Sequence, residues 1–319
     1  MMKRSCATSY LAIALLSATF AVLAAWAGSP NEPAAATSRG FCPAYLTAST
    51  VPLRLRLFPL DGPEIDVPVP SGVPRGMNVL AYGPDGRVIY GHRMLSFLQP
   101  AGIEEVDFDP PRTRVVPGSV DGALIQIFCL DASLSSGRLT VMDTPWSQPR
   151  TFQIDPAAAT ITQMQADSPS TCGGPGGLLS PDGKRVLVKR GKSLAVTDLQ
   201  GRVVRAIQGT KKDAGYLWSP NSEMLVWARG NEIMLIDLSR EREDLPPRKL
   251  GSAGDSDVVW SPDSKYLLIR SSSLSCKFTL YGESLEVIDV ATGKRMPVKS
   301  SHCEIMAGAF GWMDRAIAP

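Results

Sequence analysis

The chain has 319 residues, 44% of them hydrophobic and 20% charged, with 28 Gly and 26 Pro. The apolar fraction excludes wholesale disorder, and the charged fraction is too low for a coiled coil. With 33 basic against 31 acidic residues no field favours nucleic acid or an anionic membrane, and two His, His92 and His302, exclude chemistry built on several imidazoles.

In chain order, Lys3 and Arg4 precede an uncharged apolar stretch that ends in Ala25-Trp26-Ala27. A basic start, an apolar middle and small residues at the end predict a secretory signal peptide over 1–27, broken off by Gly28-Ser29-Pro30. The alternative is an uncleaved N-terminal anchor. Residues 1–27 hold two basic and no acidic residues, so the mature chain would be neutral. Residues 28–50 read as a flexible leader and 51–319 as the folded domain. No later segment is apolar enough to span a membrane, so the expected location is the periplasm or the exterior, as a monomer.

The first strand signals are 53–58, which alternates apolar and basic residues, and 65–69, joined by a turn at Asp61-Gly62-Pro63. They look like the outer pair of a sheet that lacks its inner strands. Val79-Leu80-Ala81-Tyr82-Gly83-Pro84-Asp85-Gly86 then predicts a hairpin into Arg87-Val88-Ile89-Tyr90, with outer strands at 103–107 and 113–116. Residues 120–154 read as a degraded unit whose best-matching strand is Gly137-Arg138-Leu139-Thr140-Val141-Met142-Asp143.

Three copies of one pattern follow. Leu178-Leu179-Ser180-Pro181-Asp182-Gly183 leads into Val186-Leu187-Val188 and Leu194-Ala195-Val196-Thr197-Asp198. Leu217-Trp218-Ser219-Pro220-Asn221-Ser222 leads into Met224-Leu225-Val226 and Ile233-Met234-Leu235-Ile236-Asp237. Val259-Trp260-Ser261-Pro262-Asp263-Ser264 leads into Tyr266-Leu267-Leu268-Ile269 and, past an insertion at 272–282, Leu285-Glu286-Val287-Ile288-Asp289. Pro fixes φ at the first corner of the turn, Asx suits the second, and the next position needs positive φ. A period of roughly 40 residues built from short apolar strands is the mark of propeller blades. Ala309-Phe310-Gly311-Trp312 matches the strand before the Ser-Pro turn, so C- and N-terminal segments together would complete one blade. The expected fold is all-β, a propeller of about six four-stranded blades closed between its termini, which leaves no free sheet edge at the junction.

Trp218-Ser219-Pro220-Asn221 and Trp260-Ser261-Pro262-Asp263-Ser264-Lys265 resemble the TolB-like, WD40-like propeller repeat. The resemblance implies a periplasmic interaction platform of the kind for which TolB, in the Tol–Pal envelope system, is the namesake. It is a likeness to the repeat and not to TolB itself, which carries an α/β domain before its propeller. The same repeat precedes the catalytic domain of prolyl-oligopeptidase-like peptidases, but no G-x-S-x-G occurs here.

Other candidates read as ordinary structure. Gly183-Lys184 and Gly191-Lys192-Ser193 lack the glycine spacing of a phosphate loop. Asp107, Asp143, Asp198, Asp237 and Asp289 recur once per unit at the end of the third strand, which favours capping the next turn over binding metal. Glu104, Glu105, Asp107 and Asp109 read as a solvated strand edge, residues 240–244 as a solvated loop, and His92 and His302 as ordinary histidines.

Export leaves Cys42, Cys129, Cys172, Cys276 and Cys303 in an oxidising compartment. In a propeller blade, the loop between strands two and three and the loop to the next blade share one face. Cys276 and Cys303 lie in such loops of one blade, 272–282 and 299–306, and are expected to form a disulfide. Cys172, in the 155–175 connector, is expected to pair with Cys129, leaving Cys42 free. The function expected is a non-catalytic envelope or extracellular platform that binds a protein or small ligand on that face, without cofactor or metal. The alternative is a metal-dependent hydrolase or lactonase-like propeller enzyme acting at the central channel.

Overall fold

The computed structural model describes residues 40–47, 54–73, 77–93, 102–119, 127–132, 136–143, 149–174, 176–190, 193–207, 215–229, 232–239, 246–252, 256–273, 282–298 and 309–318. They form a six-bladed β-propeller of four-stranded antiparallel sheets. No helix among them is long and apolar enough to cross a membrane.

Blade 6 joins the two ends of the chain. Its strands β1 (Phe41–Thr47), β2 (Arg54–Leu57) and β3 (Ile65–Val67) come from the N-terminal side. The innermost strand is supplied by β24 (Ala309–Asp314), in the order β24-β1-β2-β3. Blade 1 holds β4 (Met77–Tyr82), β5 (Val88–Arg93), β6 (Ile103–Phe108) and β7 (Pro111–Val115). Blade 2 holds β8 (Ile127–Asp131), β9 (Leu139–Asp143), β10 (Arg150–Asp155) and β11 (Thr160–Gln163). Blade 3 holds β12 (Leu178–Leu179), β13 (Arg185–Arg190), β14 (Ser193–Asp198) and β15 (Val203–Ile207). Blade 4 holds β16 (Tyr216–Trp218), β17 (Met224–Arg229), β18 (Glu232–Asp237) and β19 (Arg248–Ser252). Blade 5 holds β20 (Ser256–Trp260), β21 (Tyr266–Ser273), β22 (Gly282–Asp289) and β23 (Arg295–Val298).

Three assignments made from sequence change. The expected leader reaches residue 50, yet Phe41–Thr47 is the second strand of blade 6, with Pro43 opposite Trp312. A Pro inside a run argues against a strand, but Cys42, Ala44, Tyr45 and Leu46 are all buried, and that burial holds the segment in the sheet. In blade 2, Leu139–Asp143 is the second strand rather than the third. Its Asp143 is fully buried against Arg150, Oδ2 to Nη2 2.5 Å, and the turn-capping position passes to Asp155, whose Oδ1 accepts from the N–H groups of Ala157 and Ala158. The acidic run is not a solvated edge either. Glu105 takes a two-point contact from Arg114 (2.7 and 3.1 Å), Asp107 pairs with Arg112 (3.1 Å) and Asp109 with Arg87 (3.0 Å).

The Ser-Pro-Asx turn shows why it repeats. Ser180, Ser219 and Ser261 are fully buried, and each Oγ accepts the backbone N–H five residues on at 2.9 Å while donating to the Asx two residues on. Gly183 takes the positive φ (+71°) in blade 3, but blades 4 and 5 place Ser222 and Ser264 there at +62° and +61°. Those two hydroxyls offset the strain by reaching the preceding blade: Ser222 Oγ accepts from Asp182 N (3.0 Å) and Ser264 Oγ from Asn221 N (3.1 Å). Ser222→Ala keeps the unfavourable φ and loses the inter-blade acceptor, whereas Ser222→Gly loses only the acceptor. The expected result is that the Ala variant is the less stable of the two by about 1 kcal/mol, read as the difference in their urea midpoints.

Candidate functional site

The inner strands of all six blades enclose a central channel of about 830 Å³. A ladder puts successive side chains on opposite faces. Both sets reach the channel along these inner strands, as the adjacent Tyr216 and Leu217 do. Leu217, 37% exposed, and the half-buried Leu80, Leu178, Tyr216, Val258 and Phe310 line the wall. The charged residues among the described lining are Asp131 and Asp263. Asp263 is committed to its own turn, accepting from Ser261 Oγ at 2.7 Å and pairing with Lys265 at 3.5 Å. Thr171 Oγ1, also at the channel, is buried without a hydrogen-bond partner.

At Trp218, Trp260 and Trp312 a belt locks blade to blade. Trp218 Nε1 donates to Leu178 O (3.1 Å), Trp260 Nε1 to Leu217 O (3.3 Å) and Trp312 Nε1 to Val259 O (3.3 Å). The indole of one blade thus satisfies an inner-strand carbonyl of the blade before it. Pairing register places Tyr82, Asp131 and Leu179 at the same level in blades 1, 2 and 3, opposite Ile89, Thr140 and Val186. The indole latch is therefore a property of blades 4, 5 and 6.

At the wall between blades 2 and 3 the connector folds back on itself. Ser170 N donates to Gly177 O (3.2 Å), Leu179 N to Ser170 O (2.9 Å) and Cys172 N to Ser170 Oγ (3.1 Å). Cys172 is joined to Cys129 of β8 by a disulfide with a Cα–Cα distance of 6.0 Å, and both half-buried cysteines face the channel. Gly177 is forced by this packing. A Cβ there would lie 2.7 Å from Leu187 O and from Val186 Cγ1, closer than real side chains approach. Sequence reasoning treats 155–175 as one loop and misses β11 within it, because Thr160–Gln163 has only Ile161 as an apolar residue.

Cys42 is a buried free thiol in blade 6; burial pushes its pKa up to about 11, against the lowering effect of Arg315. Cys276, Cys303, His302, Gly191, Lys192 and residues 240–244 lie outside the described residues. His92 is half-buried on β5. Strands β21 and β22 run to eight residues each, so the blade 5 insertion prolongs a hairpin, paired as far as Ser273 and Gly282.

The recurring aspartates act on turns. Asp198 accepts from Gln200 N (3.0 Å) and Arg202 N (2.9 Å), Asp237 from Ser239 N (3.0 Å) and Asp289 from Thr292 N (2.8 Å). The Asp155 carboxyl is held below the ordinary carboxylate range chiefly by the N–H of Ala158, and that of Asp289 by the N–H of Thr292. Among the described residues no group of three or more His, Cys, Asp or Glu could hold a metal ion.

No family model matches the chain, and no curated protein matches it by sequence. Solved structures match by shape. TolB from Acinetobacter baumannii superposes with a TM-score of 0.57 at 14% identity, over 86% of this chain and 66% of that one. This chain therefore spans just under two thirds of that TolB. A chain of the nidogen/laminin complex superposes with a TM-score of 0.50 at 9% identity, over 86% of this chain and 98% of that one. An oligogalacturonate lyase solved with manganese gives 0.41 at 14% identity, over 83% and 76%. The fold is that of the TolB-like propellers, and at these identities the likeness is one of fold.

Proposed function

We propose that the chain is an exported, non-catalytic propeller that binds a protein segment or small ligand at the central channel and the loops around its mouth. The observation that carries this is the wall itself. It is apolar and aromatic, it is contributed by all six blades, and its volume suits a ligand of moderate size. Enzymatic propeller sites converge ionisable groups on the inner strand ends, whereas here the described inner-strand positions are Leu, Val, Phe, Tyr and Trp, with Asp131 of blade 2 as the acidic exception. The Cys129–Cys172 disulfide supports an oxidising compartment and so the export expected from the sequence of residues 1–27.

Leu217 is the channel residue to perturb, because an Arg there would put an unpaired charge in the apolar wall. Crosslinking capture from an envelope fraction should recover a partner with the parent chain and with Val115→Arg, an outer-strand control 48% exposed. The same capture should fail with Leu217→Arg. Equal recovery by all three would overturn the channel as the binding site, and recovery of nothing by any of them would overturn the platform itself.

A further inference from the structure

We infer that the Cys129–Cys172 bond is a thiol-exchange site whose reduction opens the seam between blades 2 and 3. The inference goes beyond the binding function proposed above and does not depend on it.

Five of the six seams are filled by a buried apolar cluster among the described residues. Leu57 and Met77 mark the cluster between blades 6 and 1, Ile103 and Val141 that between 1 and 2, and Leu187 and Trp218 that between 3 and 4. Leu235 and Leu267 mark the cluster between blades 4 and 5, and Leu268 and Trp312 that between 5 and 6. The seam between blades 2 and 3 has no such cluster among the described residues.

The reason lies in the pleat. Leu139, Val141, Phe152 and Ile154 all turn toward blade 1, so the alternate residues Thr140, Met142, Thr151 and Gln153 are left for blade 3. Blade 3 turns Leu187, Val196 and Ile207 toward blade 4 and offers Val186, Ala195 and Thr197 in return. Two Thr, a Gln and a Met thus meet Val, Ala and Thr. Toward the rim, Val204 on the same face of blade 3 stays 47% exposed.

The belt latch is missing at this seam as well, because Leu179 stands where blades 4 to 6 place Trp. What occupies the seam is the connector backbone. Gly177 lies on Val186 and Val188, and Gly174 lies near Met142. The disulfide is the covalent tie that holds this backbone to β8.

Both cysteines are half-buried and line the channel, so a small dithiol can reach them. Its thiolate attacks Cys172 Sγ, forming a mixed disulfide and expelling the Cys129 thiolate, which takes up a proton. The reagent's second thiol then displaces Cys172 and leaves as a cyclic disulfide. Two electrons pass from the dithiol to the pair, which ends as two thiols. The connector, no longer tied, can lift from Val186, Val188 and Met142, and the channel acquires a side entrance between two blades.

The test is hydrogen exchange, read by mass spectrometry, on the oxidised chain and on Cys129→Ser/Cys172→Ser, which leaves the other cysteines unchanged. Exchange in β8, β12 and β13 should accelerate at least about tenfold in the variant, while β16 to β24 stay as they were. If the variant does not accumulate, the parent chain treated with dithiothreitol and alkylated under native conditions serves for the same comparison. Unchanged exchange in blades 2 and 3 would overturn the seam lock, as would equal acceleration in all six blades. Failure of dithiothreitol to open the bond in the folded chain would overturn the exchange site.

Discussion

Trp312→Ala is expected to lower stability by about 4 kcal/mol. The ring is 1% exposed, and it sits on β24, the strand that completes blade 6 from the far end of the chain. It packs in the cluster that joins blades 5 and 6, stacks against Tyr266 with ring centroids 6.1 Å apart, and donates Nε1–H to Val259 O at 3.3 Å. Truncation would leave a cavity at the junction on which closure depends, so loss of cooperativity should accompany loss of stability. Trp312→Phe separates the two contributions. It keeps most of the packing and removes the indole hydrogen bond to Val259 O, which should cost about 1 kcal/mol. Urea unfolding of the three proteins, followed by a Trp other than Trp312, measures both steps. A Trp312→Ala midpoint equal to that of the parent would mean that closure does not rest on this residue.

Gly311→Ala is expected to destabilise by roughly 2–3 kcal/mol, an overpacking effect. The added Cβ would lie 2.3 to 2.6 Å from ring carbons of Tyr82. Tyr82 belongs to blade 1 and occupies the belt position that Trp holds in blades 4 to 6, so its ring covers the glycine backbone at the closing seam. The ring and the glycine are one device: an aromatic can lie flat on β24 only where β24 has no side chain. A double-mutant cycle makes this concrete. In a Tyr82→Ala background, Gly311→Ala should cost less than about 0.5 kcal/mol, giving a coupling above 1 kcal/mol. An additive cycle would show that the clash is relieved elsewhere.

The repeat was legible because its turn chemistry is stringent. Ser-Pro-Asx with a positive φ at the fourth position is written the same way three times, and the strands it joins are apolar and β-branched. From that pattern follow the blade period, the six-bladed count and the closure of blade 6 by β24. Blade 2 was legible only in part, since its turn lacks the Ser-Pro signature and Thr160–Gln163 lacks an apolar run. The leader boundary differs because Phe41–Thr47 carries no repeat signature, and the neighbours that bury Cys42, Ala44 and Leu46 are what hold it in the sheet.

The candidate site was less legible still. Sequence reasoning located a loop-bearing face and paired Cys172 with Cys129, but it named no channel residue. Leu217 and Trp218 are adjacent apolar residues in the chain, yet Leu217 is 37% exposed to the channel while Trp218 is buried and latches two blades. That division follows from the pleat and from which blade stands beside each face.

Local rules thus sufficed for what repeats: the turn, the strand order within a blade, and the aspartates that cap the hairpins. These depend on residues a few positions apart, whose geometry any chain with that sequence adopts. What differs among the six seams depends on residues about forty positions apart that meet only when the ring closes. That Asp131 and Leu179 leave gaps in the indole belt, and that Cys129 and Cys172 tie the one seam without an apolar cluster among the described residues, was decided by the tertiary structure. The reason is that a seam is a property of two facing sheets, and no single blade's sequence contains it.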